Sequence, residues 1–130
     1  MQIKNPYKRG RNQKRLVVIF PKVKFDIFIE LATHHAKYSE LVDKHKISKH
    51  VARDLAGKTI YWLRRIAEEA RDEELETITL RRQTYERDLS IRQYLEKYGE
   101  FFVTKIKYYQ HIGVIEVSEE IDGTRSEWRE

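Results

Sequence analysis

The longest run of consecutive apolar residues in this chain is LVVIF at 16 to 20, and Pro21 closes it. A β-branched run bounded by a residue that cannot donate to a ladder reads as one short strand. Downstream the apolar residues separate to every third and fourth position. Val23, Ile27 and Leu31, with Phe28, Ala32 and His35, mark one face of a helix ending near Lys37. One strand followed by helices predicts a mostly α fold with minor β structure.

The rest of the chain keeps the helical period. Ser39 is placed to cap a short helix carrying Leu41 and Val42. Ser48 is placed to cap a third, with Val51 or Ala52 and Leu55 inward and Gly57 ending or interrupting it. Residues 59–72 have helical spacing again. The stretch 73–82 is two-sided, because Thr-Ile-Thr-Leu also suits a strand, and a helix with a weak middle is preferred. A helix over 84–98 is expected to close at Gly99 and a further one to follow it. After Gly113 come VIEV and EVSEEIDGTRSEW, whose alternation and central Asp-Gly predict a β-hairpin. A length of 130 residues fits one domain. The expected organisation is a basic flexible arm over 1–13 and a single helical domain over 14–130, with a dimerisation or wing-like part from about 84.

Charge divides along this chain. Residues 1–65 hold sixteen Lys or Arg against five Asp or Glu, a net of +11, and residues 66–130 hold ten against sixteen, a net of −6. The first 24 residues carry eight basic groups and no acid. Such an arm attracts polyanions through counterion release. No stretch of about 18 apolar residues and no signal-like start appears, which predicts a cytoplasmic protein without membrane contact. Absence of cysteine removes thiolate metal sites and cysteine nucleophiles. One methionine among many charged residues points to a thermophilic source.

Four histidines, His34, His35, His45 and His50, crowd into 17 residues, but no HExxH-like pairing accompanies them. The carboxylates of EEARDEELE read as a solvated helix face. No phosphate-loop, nucleophile-elbow or dinucleotide glycine pattern is present. The expectation is therefore no enzyme, no metal, no cofactor and no small-molecule substrate. The aromatics Tyr94, Tyr98, Phe101 and Phe102 turn to one region at helical spacing and read as core.

Residues 39–55 have the layout of a helix, a tight turn and a second helix. Leu41 and Val42 are inward on the first, Ile47 fixes the turn, and Ser48, Lys49, His50 and Arg53 face outward on the second. This stretch resembles the helix-turn-helix of bacterial and archaeal DNA-binding regulators, with Lys46 where the family usually has glycine. Residues 14–44 are similar to a ribbon-helix-helix repressor, although neither face of the strand is polar enough to read bases, which favours a buried strand. Residues 89–128 look like the end of a winged-helix domain with an acidic wing.

These resemblances imply a sequence-specific double-stranded DNA-binding homodimer, in role a transcriptional regulator from a prokaryote, plasmid or virus. Lys49, His50 and Arg53, beside Ser48, would contact bases or phosphates; Lys44, Lys46 and Lys58 would meet phosphates. Lys4, Lys8, Arg9, Arg11, Lys14 and Arg15 would add contacts from the arm. Two alternatives stand beside this reading: a structural nucleoprotein that packages DNA, and an interaction module acting through its acidic half.

Overall fold

In a computed structural model that describes residues 14–130, the chain is mostly helical with one small sheet. The arm at 1–13 lies outside the described residues. The predicted strand is β1 (Arg15–Pro21), followed by α1 (Lys22–Thr33), a single 3-10 turn at His35–Lys37, and α2 (Tyr38–Lys44). Then come α3 (Lys49–Ala70), α4 (Glu73–Thr84), α5 (Ile91–His111), β2 (Ile115–Ser118) and β3 (Arg125–Arg129). Among the described residues no helix is long and apolar enough to cross a membrane.

β1 is the middle strand, parallel to β2 and antiparallel to β3. This corrects the expected C-terminal hairpin, since β2 and β3 lie on opposite sides of β1 and do not pair with each other. With both edges occupied, β1 also has no edge left for the strand of a second copy, as a ribbon-helix-helix dimer requires. Leu16, Val18 and Phe20 face the helical core. On the other face, Val17 and Ile19 are buried too, and a charged network crosses β1 there. Arg129 joins Glu127 of its own strand to Glu116 of β2, at 2.9 and 2.5 Å.

Two expected helix breaks do not occur. Gly57 lies inside α3 and Gly99 inside α5, because each helix buries a continuous apolar face whose packing outweighs a local glycine cost of about 1 kcal/mol. The helix expected from residue 84 starts instead at Ile91, where Ser90 and Gln93 form a reciprocal capping box. Ser39 is likewise no cap: it lies within α2, and Lys37 holds the N-cap position. α1 stops at Thr33 rather than Lys37, and Val23 is two-thirds exposed rather than on its buried face.

The preferred helix at 73–82 is α4. Asp72 caps it, accepting from the Leu75 N–H, while Glu73, Glu74 and Glu76 occupy its first turn and Arg81 and Arg82 its last, in keeping with the helix dipole. EEARDEELE is thus not one solvated face, since the chain turns at Arg71 and Asp72. The Asp72 carboxylate also accepts from Lys105 Nζ at 2.8 Å and Tyr109 Oη at 2.7 Å, which ties the start of α4 to α5. Burial alone would raise this carboxyl, but the hydrogen bonds outweigh burial and hold it below the ordinary value. Tyr94 Oη donates to the Ile78 carbonyl at 2.9 Å, a second link between the same helices. Of the expected aromatic core, Tyr94 and Phe102 are fully enclosed, while Tyr98 and Phe101 are only partly buried against it; Tyr109 is enclosed as well.

At Gly99, α5 approaches α1 so closely that a Cβ would overlap the Ala32 carbonyl oxygen. Gly99→Ala should therefore destabilise the fold by about 2 kcal/mol despite alanine's better helix propensity, read by denaturant unfolding. Asp72→Ala should cost about 2 kcal/mol at neutral pH. A carboxyl whose folded pKa is lowered stabilises above its unfolded value and ceases to as pH falls through the folded one. The gap between wild type and this variant should therefore close below about pH 4 in a pH series of unfolding curves.

Candidate nucleic-acid interface

The turn between α2 and α3 is set by the backbone. Lys46 N–H donates to the Asp43 carbonyl and Ile47 N–H to the Val42 carbonyl, both at 3.2 Å, with Lys46 at φ 53°. This is a Schellman turn carrying lysine where glycine is the easier residue. The turn at Arg71 has φ 55° and repeats the pattern, with the Asp72 N–H reaching the Ala67 carbonyl at 2.9 Å. Ser48 then caps α3, accepting the Val51 N–H at 3.1 Å, as its position in the sequence predicts.

Leu41, Val42 and Ala52 are buried, Ile47 and Leu55 pack against the core, and Val51 is turned outward. Lys46, Ser48, Lys49, His50 and Arg53 are all exposed at the end of α3 that follows the turn. Among the described residues, the side chains of Lys46, Lys49, His50 and Arg53 take part in no ion pair or hydrogen bond. His50, Arg53, Gly57 and Tyr61 lie along one stripe of α3 that borders a shallow groove. Lys58 borders the same groove and pairs with Asp54 at 3.0 Å. That pair is exposed, of the kind worth at most about 1 kcal/mol, so its lysine remains available to an anion.

Lys44 stands apart from this stripe. Glu30 of α1 accepts from Lys44 Nζ at 3.1 Å and meets His45 Nε2 at 2.5 Å. The bond with His45, followed by that with Lys44, lowers the Glu30 carboxyl below its ordinary value. The pairing fastens the end of α2 to α1, and His45 is accounted for as part of this clamp.

The arm residues divide. Lys4, Lys8, Arg9 and Arg11 lie outside the described residues. Lys14 is exposed, while Arg15 is half-buried and its Nη1 donates to the Ile112 carbonyl at 3.5 Å, at the C-terminal end of α5. Lys49 and Arg53 instead share a cleft with Ser90 and Arg92, at the N-terminal end of α5. A helix of 21 residues is about 30 Å long, so the two groups of cations stand nearly that far apart. Sequence reasoning missed Arg92; the Ser90–Gln93 capping box was the signal that would have placed it at a helix start.

Gly123 and Thr124 share a cleft of about 440 Å3 with Asp54, Leu55 and Lys58, which brings the loop carrying Glu119, Glu120 and Asp122 toward the middle of α3. The charged residues that line the cleft itself are Lys24, Asp54 and Lys58, while Glu120 of the loop pairs with Arg125. Set against known proteins, the chain matches no family model, no curated protein and no solved structure.

Because Lys46 holds a left-handed conformation in solvent, Lys46→Gly should raise stability by up to about 1 kcal/mol. Chemical denaturation of the variant beside Arg71→Gly, which relieves the same conformation at the other turn, checks this.

Proposed function

We propose that this protein binds double-stranded DNA in a sequence-specific manner, as a transcriptional regulator does, by setting the first turns of α3 in the major groove. The single observation that carries the reading is the solvent-facing group Lys46, Lys49, His50 and Arg53, unpaired among the described residues, at and just after a turn anchored from below by Leu41, Val42 and Ala52. An α-helix fits the major groove, and residues at its start reach base edges in helix-turn-helix proteins. Arg53 and Lys49 have the reach for bases or phosphates, and Lys46 and Lys58 meet phosphates. A homodimer would present two such helices with two-fold symmetry. Val117, Ile121 and Trp128 on the outer strands and their loop remain exposed and suit contact between copies.

Selection from random duplex and single-stranded pools at several salt concentrations tests the reading. An enriched, palindromic duplex sequence is expected, and Lys49→Ala with Arg53→Ala should relax the preference while leaving weak, salt-sensitive binding. Tight binding without any enriched sequence would point to a packaging protein instead. No binding at low salt would remove DNA from the reading altogether.

A further inference from the structure

The cleft between the starts of α3 and α5 has a chemistry of its own. It encloses about 210 Å3, and its polar lining comes from Tyr38, Ser39, Lys49, Arg53, Ser90 and Arg92. Three cations line it, and no carboxylate does. Arg92 Nε meets Glu96 at 3.3 Å on the exposed side of its own helix, which leaves the guanidinium's other N–H groups for a ligand.

Tyr38 supplies an independent observation. The residue is only 7% exposed and lines the cleft, yet among the described residues its hydroxyl has no hydrogen-bond partner. The ring is buried while the hydroxyl stays open to solvent, so it is free to donate to an acceptor placed in the cleft. Burial keeps this phenol protonated and therefore able to donate, against the opposing pull of Arg53.

The backbone adds to this. α3 and α5 are 22 and 21 residues long, and neither has an acidic residue in its first turn. Ser48 and Ser90 each take one N–H, of Val51 and Gln93, which leaves the earlier N–H groups of both helices without a helical acceptor. Positive charge, a free hydroxyl and two helix starts together fit an anion with several acceptor oxygens.

We propose that this cleft is a phosphate seat, in which Arg92, Lys49 and Arg53 neutralise the anion and Tyr38 donates a hydrogen bond to it. The anion is either a phosphodiester of a nucleic-acid backbone or a free phosphate. Only the first source rests on the DNA-binding reading above. If a backbone phosphate sits there, Arg92 fixes the angle at which α3 enters the groove, and it does so from another helix.

Two measurements on the full chain separate the sources. Inorganic phosphate titrated into labelled protein should shift the amide resonances of Tyr38, Lys49, Ile91 and Arg92 saturably. Arg92→Gln and Tyr38→Phe should each weaken that binding, the first by about tenfold, whereas Glu96→Gln, which removes the competing carboxylate, should not. In duplex binding, Arg92→Gln should lower the slope of log affinity against log salt by about one, equally for all sequences. No saturable shift together with an unchanged slope would overturn the seat and leave the DNA reading standing. A phosphate titration as expected, in a chain that binds no DNA at low salt, would retain the seat with free phosphate as its source and discard the DNA reading.

Discussion

The pairing of β1 on both of its edges with strands from the far end of the chain is the constraint on which the rest of the structure depends. Val18 N–H donates to the Val114 carbonyl at 2.8 Å, and Leu16 stands opposite Trp128. Closing those contacts requires the five helices to lead the chain back to where it began. Non-local closure of this kind carries its entropy cost before its reward, so the sheet depends on helices already packed. The arrangement also moves the exposed edges to β2, which is four residues long, and to β3, which is rich in arginine and glutamate. Short and charged edges resist pairing with another chain.

The charge division along the sequence becomes a division in space only in part. Among the described residues, Lys46, Lys49, His50 and Arg53 stand without ion pairs around the start of α3, whereas Glu30 takes Lys44 and the end of α5 holds Arg15. The loop between β2 and β3 comes close to the middle of α3, where Lys24 and Lys58 stand with Asp54. On the DNA-binding reading, base contacts fall to the first turns of α3, where Lys49, His50 and Arg53 are exposed, and Lys58 adds a phosphate contact farther along.

How much of this was legible in the sequence follows from the range of the forces involved. β1 was readable because a contiguous apolar run has few places to go except a strand buried on both faces. The Ser48 cap was readable because it is satisfied three residues away. Gly57 and Gly99 misled, since glycine's local cost is small beside the packing of a helix over twenty residues long, and what Gly99 serves is a neighbour, Ala32, distant in sequence. The Asp122-Gly123 turn misled differently. Alternation reports that a strand has one buried face and says nothing of which strand lies beside it. The Tyr38 and Arg92 cleft was hidden because it joins two helix starts, and the start of α5 was masked by apolar spacing that appeared to run on from residue 84.

The length of α5 has a consequence for what a duplex would meet. Its N-terminal end lies with Lys49, Arg53 and Arg92, and its C-terminal end with Arg15 and, beside it, Lys14. The two ends are not alike, because Arg15 is half-buried and holds the Ile112 carbonyl whereas Arg92 is exposed. On the DNA-binding reading, α5 would therefore meet a duplex at its N-terminal end alone, and its length keeps Arg15 about 30 Å from that contact.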